Sequence, residues 1–438
     1  MLELFEMYNL KEMPLSTEIF LSCSILQLTF YAIATTQQRK HGFVIFSQQM
    51  YHIGVLIVSL ASLLLLNEDL VSLNFLTSNN FIINDYLGFA AKLVVCFTSI
   101  IFLMLITIFY EDKIVQNNFE YIVLILISVF GLLLLCSSND LITAYLSIEL
   151  QSIAFYIMAA FKKNSIYSIE SGLKYFIIGS LSSAFFLFGS AIIYGCLGSL
   201  NFDDIRMFLS LSFNSFPDSF SNINSLNSDF NQILLSLHYT NQLDLGSNFQ
   251  ILQHILSYYS DSLLTSSQII EFSQFNLDFI YLGFIFLCLS LFIKLSLAPF
   301  HFWSLDVYEG APNTTTIFFA VIPKIGLFII LIRICYASFY SNFSSAWQSY
   351  FFLIAVFSIF VGSVGGLEQR KLKSLLAYSS ISHTGYLLLS FSSNSTEGMS
   401  MMLYYLVIYM ISSLCFWSIY LFINPKKKNY FKKYESKI

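Results

Sequence analysis

Apolar stretches of about 20 residues follow one another along most of the chain and are separated by short polar segments. A stretch of this length crosses the hydrocarbon core of a bilayer as an α-helix. The pattern therefore predicts an all-α polytopic membrane protein with eleven transmembrane helices. The predicted spans are residues 18–36, 43–66, 86–110, 119–139, 140–161, 170–198, 278–304, 312–338, 348–366, 372–392 and 400–423.

One long connection, residues 199–277, interrupts this series and is rich in Ser, Asn, Asp and Leu. Within it, residues 249–264 place their apolar side chains on one helical face. This spacing favours an amphipathic helix on the membrane surface or on a neighbouring protein. A weakly ordered insertion is the alternative.

The basic residues divide unevenly between the two ends of the predicted spans. Because Lys and Arg collect on the cytoplasmic or matrix side, this asymmetry predicts that the C-terminus faces inward. The N-terminus and the 199–277 connection are then expected on the outer side, where only Lys11 and Arg206 lie. The inner side has Arg39, Lys40, Lys113, Lys162, Lys163, Arg370, Lys371, Lys373 and six residues between Lys426 and Lys437.

The composition supports the membrane class, since 56% of residues are hydrophobic and 11% are charged, against about 25% charged in soluble domains. The seven cysteines have no CxxC spacing, the six histidines do not cluster, and no glycine-rich nucleotide loop occurs. We therefore expect no redox cofactor and no metal on this chain. Bound lipids are expected, and a nucleic-acid partner is not. The acidic residues of the first fifteen positions also argue against a cleavable signal.

Four ionisable residues lie inside predicted spans, namely Glu149, Lys174, Lys294 and Lys324. Each such group costs at least about 2.5–3.5 kcal/mol on insertion scales, so it persists where it pairs or lines a hydrated path. The four residues predict a charge-conducting path. Glu149 could pair with Lys174 or with Lys294, and its alternative is a neutral acid hydrogen-bonded at a helix interface.

Lys294 begins the segment KLSLAPFHFW, in which Pro299 is expected to break the helix and His301 follows the break. Lysine, a break and then the side chain that titrates most easily near neutral pH predict a proton relay. The alternative is a lysine that only extends to the interface. Lys324 likewise follows a proline, Pro323, near the middle of its span.

Other charged residues are less distinctive. Lys174 lies four residues after Glu170, a spacing that also fits an ordinary contact on a helix surface. Arg333 and Lys92 lie toward span ends and are expected to extend to the interface. Possible groups for proton uptake or release are Asp306, Glu309 and His383.

Two pairs of segments repeat at nearly equal offsets. Residues 173–186 match residues 403–416 at six of fourteen positions, and residues 144–149 match residues 377–382 at four of six. The offsets are 230 and 233 residues, in the same order. Repeated helix units with broken helices are typical of transporters.

Several of these segments resemble the antiporter-like membrane subunits of mitochondrial respiratory complex I, in particular the NADH dehydrogenase subunit 2 family. They are YLSIELQSIAFY, GLKYFIIGSLSSAFF, KLSLAPFHFWSLDVYEGAP, PKIGLF and LKSLLAYSSISHTGYLLL, and the similarity runs from about residue 119 to 420 without the 199–277 insertion. The resemblance implies fourteen helices with two inverted five-helix repeats, each with one broken helix. It implies proton translocation in the mitochondrial inner membrane, driven by electron transfer from NADH to ubiquinone on other subunits, which also carry the flavin and iron–sulfur clusters. It assigns the proton pathway to Glu149, Lys174, Lys294, His301 and Lys324.

The chain departs from this family after its eleventh predicted span, where the family has a second broken helix with another lysine. We expect an incomplete second repeat and three regions: residues 1–118 with three helices, residues 119–338 with the first repeat, and residues 339–438 with the incomplete second repeat and a basic tail. The expected partners are other membrane-arm subunits and a separately encoded fragment of about three helices. A degenerate second half packed by lipid or an unrelated protein is the alternative.

Two other functions compete with proton translocation in complex I. A subunit of a multi-subunit cation/proton antiporter has the same ancestry, and a structural subunit would not pump. The buried charges argue against a purely structural role because they are costly to retain.

Overall fold

The protein is built almost entirely of helices, which confirms the predicted fold class. A computed structural model describes residues 15–37, 47–67, 76–77, 81–109, 119–162, 165–214, 266–339 and 347–435. Within these ranges the non-helical exception is a small antiparallel ribbon of β1 (Leu76–Thr77) and β2 (Ile82–Ile83). Nine of the helices described are long and apolar enough to cross a membrane.

The first three helices form a bundle that packs against the rest of the protein. They are α1 (Ser16–Gln37), α2 (Ser47–Leu66) and α3 (Tyr86–Phe109). Helices α1 and α3 both contact α4 (Phe119–Ser137). A continuous cluster of buried Leu, Ile, Val and Phe side chains joins this bundle to the following helices.

The next helices are α5 (Leu141–Ala159), α6 (Ile166–Leu197), α7 (Phe202–Asn214) and α8 (Ser266–Lys294). Helices α6 and α8 cross closely because two glycines face each other. A Cβ atom on Gly189 would lie 2.7 Å from the Gly283 carbonyl oxygen, and a Cβ on Gly283 would lie 2.9 Å from that of Gly189. Small residues commonly allow such close approach between membrane helices.

Two interrupted helices lie at the centre of the bundle. Helix α8 stops at Lys294, and α9 (Phe302–Gly310) follows after a non-helical turn. Next come α10 (Asn313–Val321), α11 (Pro323–Ile332) and a π-helical turn (Arg333–Ser338). This second interrupted helix is buried along its length. Lys324, which belongs to this helix, is therefore surrounded by protein.

Three long helices end the described chain: α12 (Gln348–Leu367), α13 (Leu372–Phe391) and α14 (Thr396–Glu435). Helices α12 and α13 pack side by side, and α14 contacts α10 and α13. The division of the chain into residues 1–118, 119–338 and 339–438 stays a prediction.

Each of the eleven predicted spans overlaps a helix of the structure. The two that fall outside the nine strongest candidates are the second, whose apolar part is Met50–Leu66, and the tenth, the serine-rich α13. The limits of the 199–277 connection stay a prediction: α7 lies within it, and α8 begins at Ser266, although the part of α8 that is apolar enough to cross a membrane begins at Leu277. The centre of the connection, including the predicted amphipathic helix at 249–264, lies outside the described residues.

Candidate functional site

Helix α8 ends in a defined hydrogen-bonded cap directly after Lys294. Ser296 has a left-handed backbone (φ 56°), its N–H donates to the Ile293 carbonyl, and the Leu297 N–H donates to the Phe292 carbonyl. This pair of bonds is a Schellman cap, which usually has glycine at the left-handed position. The Trp303 indole N–H also donates to the Ile293 carbonyl at 2.9 Å. The break therefore begins before Pro299, and Pro299 lies within it.

The cap leaves Lys294 at the end of a helix, beside the carboxylate of Glu149 on α5. Their Nζ and Oε1 atoms lie 3.9 Å apart, and the side chains are 10% and 25% exposed. The Ser152 hydroxyl lies 3.5 Å from the other Glu149 oxygen. Of the two partners considered for Glu149, the structure brings Lys294 to it.

A small cavity of about 40 Å³ lies between Lys294 and Lys324, and both residues line it. At roughly 10–15 Å³ for each water, this volume holds about three or four water molecules. Gln151 Oε1 and the Tyr156 hydroxyl also belong to lining residues, and both atoms are buried without a hydrogen-bond partner among the described residues. Buried polar atoms of this kind are commonly satisfied by ordered water. The cavity can therefore connect the two lysines through water.

On the far side of this cavity, Lys324 contacts two other helices. Its Nζ donates to the Tyr409 hydroxyl at 2.9 Å and to the Ser380 carbonyl at 3.2 Å. The same Nζ lies 4.7 Å from the centre of the Tyr409 ring, a cation–π distance. His383, on α13 like Ser380, has its Nδ1 at 2.8 Å from the Tyr405 hydroxyl. Lys324 and His383 thus lie in one polar region between α11, α13 and α14.

Lys174 lies elsewhere, in the helix-surface contact with Glu170 that was its alternative, and its role in the proton pathway stays a prediction. Its side chain is 43% exposed and pairs with Glu170 at 2.9 Å and with Asp306 at 2.7 Å. The cause is helical phase: Lys174 projects from the outer face of α6, one turn from Glu170. Asp306 is likewise exposed and bound to Lys174.

His301 is buried but does not join the Lys294 pair. Its Nδ1 has no hydrogen-bond partner in the described part of the chain, and its ring packs against Phe302 with centroids 4.3 Å apart. Nor does it line the cavity between the lysines. The direct relay from Lys294 to His301 is therefore absent from this conformation of the described residues.

Glu309 forms an ion pair with Lys371 at 2.6 Å at the start of α13. Hydrogen bonding to Glu309 raises the pKa of Lys371. The neighbouring Lys373 donates to the Ala311 carbonyl at 2.8 Å. These contacts tie the end of α9 to α13 at one edge of the bundle.

Two buried ion pairs were missed by the sequence reasoning, which expected Lys92 and Arg333 to extend to the interface. Both expectations are wrong. Lys92 is fully buried and pairs with Glu18 at 2.6 Å. Arg333 is buried, pairs with Asp85 at 2.6 Å, and donates to the Cys136 carbonyl at 2.8 Å. The signal that could have identified these pairs is the position of the acids, since Glu18 lies in the first turn of α1 and Asp85 directly precedes α3.

Asp140 is a further buried carboxyl, at the turn before α5. Desolvation raises the pKa of Asp140, although backbone hydrogen bonds from Leu141 and Ile142 oppose this effect. In the part of the chain that the structure describes, no group of three or more His, Cys, Asp or Glu side chains could hold a metal ion.

Solved structures share this helical arrangement. A chain of respiratory complex I from Thermus thermophilus with bound aureothin matches with a TM-score of 0.58 at 22% identity, covering 91% of this chain and 69% of that one. A chain of the Mrp complex from Dietzia sp. DQ12-45-1b matches with a TM-score of 0.65 at 13% identity, covering 94% and 64%. At these identities the similarity establishes the fold.

Sequence comparison establishes the family. NADH-ubiquinone oxidoreductase chain 2 of Marchantia polymorpha is 30% identical over 418 residues, covering 95% of this chain and 73% of the relative. NADH-quinone oxidoreductase subunit N of Pelagibacter ubique (strain HTCC1062) is 29% identical over 413 residues, covering 94% and 72%. The family model described as "NADH:quinone oxidoreductase/Mrp antiporter, TM" matches residues 138–238 and 233–436. The chain therefore belongs to this family of antiporter-like membrane subunits, in its chain 2 or subunit N branch.

Proposed function

We propose that this chain translocates protons as a membrane-arm subunit of NADH:ubiquinone oxidoreductase, by coupled titration of Glu149, Lys294 and Lys324. The observation that carries the proposal is the Glu149–Lys294 pair, 3.9 Å apart at the end of a broken helix. At this distance the two charges interact by about 4 kcal/mol at the effective dielectric constant that suits protein sites. Each group therefore changes the proton affinity of the other.

The sequence of proton movements follows from this coupling. Protonation of Glu149 removes the negative partner of Lys294, so the ammonium loses its stabilisation and releases a proton more readily. Water in the adjoining cavity can accept that proton and pass it toward Lys324. Lys324 has no carboxylate within 4 Å among the described residues and is held by neutral oxygens, so its charge is only moderately stabilised.

The redox steps are assigned to other subunits, which would bind NADH, flavin, iron–sulfur clusters and ubiquinone. This chain would then respond to redox energy only through its contacts in the membrane arm. The exposed Lys174–Asp306 pair supports such contacts, because charged groups on a span surface favour burial against protein. His301, Glu309 and His383 are candidates for later steps of the same path.

The proposed location is the mitochondrial inner membrane. The chain 2 relatives support it. The heavy use of Phe, Ile, Asn, Tyr and Lys, which fits an AT-rich genome such as that of an organelle, also supports it. The asymmetry of the basic residues favours an N-terminus and a 199–277 connection toward the intermembrane space and a C-terminus toward the matrix.

A separate polypeptide of about three helices is proposed to pack against α14 and to carry its own lysine beside a helix break. This chain covers 73% of the length of the Marchantia relative. Helix α14 also leaves Tyr404, Ile408 and Ile411 exposed along one side. Photo-crosslinking from Ile408 in the intact complex tests this proposal, since lipid adducts alone would oppose it.

The proton-translocation proposal is tested with Glu149→Gln in the purified complex, reconstituted in vesicles. The amide keeps the shape of the side chain but cannot titrate. We expect normal assembly and a strong loss of protons moved per NADH oxidised. Normal stoichiometry in the assembled variant would contradict the proposal. The competing antiporter function requires cation exchange without NADH oxidation, which the same vesicles can measure.

A further inference from the structure

We propose that Tyr409 is a positioning residue that sets the proton affinity of Lys324 and couples this lysine to His383. The inference rests on the proposed function and deepens it. Nothing in the sequence marked Tyr409, which lies among several tyrosines of α14. Its contacts, however, join the two interrupted halves of the central helix to the last two helices.

The Tyr409 hydroxyl has a fixed orientation. Its single proton is donated to the Ala320 carbonyl at 3.0 Å, so its oxygen lone pairs face the Lys324 Nζ at 2.9 Å. Ala320 lies in the last turn of α10, just before the break at Pro323. Carbonyls in the last turn of a helix lack a full set of helical partners and accept from other donors. The break therefore creates the acceptor that orients Tyr409.

With this orientation, the hydroxyl is an acceptor for Lys324 and favours its charged form. The centre of the Tyr409 ring lies 4.7 Å from the same nitrogen, and this cation–π contact also favours the charged form of Lys324. In the described residues no ion pair brings a carboxylate to Lys324. The proton affinity of Lys324 therefore depends on two neutral oxygens and one ring, and Tyr409 supplies one oxygen and the ring.

His383 contacts the other side of Tyr409. The two rings have centroids 5.1 Å apart, and His383 Nδ1 lies 2.8 Å from the hydroxyl of Tyr405, which is one helical turn before Tyr409 on α14. Ser380, one turn before His383 on α13, supplies the second oxygen for Lys324. A charge on His383 opposes a charge on Lys324 across the Tyr409 ring, so loss of one proton favours retention of the other.

The remaining titratable groups around this ring are phenols. Tyr308 from α9 and Tyr405 from α14 itself face Tyr409, together with Lys324 from α11 and His383 from α13. A change in the pH dependence of a Tyr409 variant between pH 6 and pH 9 thus reports on Lys324 or His383.

The test uses Tyr409→Phe in the intact complex reconstituted in vesicles, with proton transport and NADH oxidation measured over this pH range. The phenyl ring keeps the packing and the cation–π contact but has no acceptor. We expect about a tenfold loss in the proton transport rate, and an alkaline limb displaced to lower pH by about one unit. Tyr350→Phe, on the exposed side of α12 with 56% of its surface accessible, is the matched control and should behave like the wild type.

A wild-type pH profile in Tyr409→Phe would overturn the inference. If that variant fails to assemble, Tyr409→Met is measured, since its side chain is large and apolar and likewise offers Lys324 no hydroxyl acceptor. A displaced alkaline limb supports the proposal, whereas an unchanged limb opposes it. Failure of both variants to assemble would also count against it, because Tyr409 would then be needed for folding.

The double variant Lys324→Met with Tyr409→Phe separates this inference from the function. If Tyr409 acts through Lys324, the double variant transports no less than Lys324→Met alone. Additive losses would oppose the inference. Should Glu149→Gln and Lys324→Met themselves transport protons normally, the proposed function fails. Defects in those two variants beside a normal Tyr409→Phe would remove only the inference.

Discussion

The Lys92 ammonium lies 2.6 Å from the Glu18 carboxylate, and both side chains are buried between α1 and α3. The Thr17 hydroxyl donates to the second Glu18 oxygen at 2.7 Å. Removal of one member of such a pair leaves an uncompensated buried charge, whereas removal of both does not. The pair therefore fixes how the first helix packs on the third.

We predict that Lys92→Met destabilises the N-terminal bundle by about 3–5 kcal/mol, the usual cost of breaking a buried ion pair. The measurement is the yield and thermal stability of the assembled complex. The double variant Glu18→Gln with Lys92→Met is the control, since it leaves no unpaired charge, and it should recover most of the stability. Equal losses in the single and double variants would contradict this account.

A second prediction separates path lysines from surface lysines. Lys294→Met should strongly reduce proton transport because it removes the partner of Glu149 at the edge of the cavity. Lys371→Met is the matched comparison: Lys371 is 73% exposed and its pair with Glu309 is solvated. Solvated pairs contribute about 0–1 kcal/mol, so a small effect is expected.

Protons transported per NADH oxidised, in vesicles, decide between the two lysines. Similar small defects in both variants would favour a Lys294 that merely fills space. Lys92 is unsuitable as the comparison, because its removal should act on stability through Glu18.

The positions of the helices could be predicted from the sequence because apolar length alone determines which segments cross a bilayer. The breaks in the helices could be predicted only in part. Pro299 and Pro323 indicated them, but the exact end of α8 depends on Ser296 in a left-handed conformation, which serine adopts too rarely to predict.

The partners of the charged side chains were harder to predict from the sequence. To choose between Lys174 and Lys294 as the partner of Glu149, one must know which side of α6 faces Glu149. The sequence of a helix that is hydrophobic on all sides does not show this. Arg333 and Asp85 are 248 residues apart in sequence, so their contact follows from the packing of α3 against the central helix. Position within a span therefore did not distinguish a lysine or arginine that extends to the interface from one that is paired.

The membrane orientation gives a third prediction. Met207→Cys, on the exposed side of α7, should react with a membrane-impermeant thiol reagent added to the outer face of the inner membrane. Lys371→Cys should react only after the matrix side is exposed. Wild-type protein provides the background for the native cysteines. The opposite pattern would reverse the orientation inferred from the basic residues.

A last prediction concerns the water-sized cavity. A Cβ atom on Gly179 of α6 would overlap the Tyr156 hydroxyl, and both residues line the cavity. Gly179→Ala should therefore push Tyr156 into the space that water needs between Lys294 and Lys324. We expect proton transport to fall by about tenfold or more, the scale of a barrier raised by roughly 1.4 kcal/mol, while the complex still assembles.

Gly195→Ala on the same helix is the matched control, because a Cβ there meets nothing within 4 Å. Since alanine at either position raises helix propensity equally, a difference between the two variants reports on the cavity itself. Equal transport by both variants would mean that protons do not pass between these two lysines through this space.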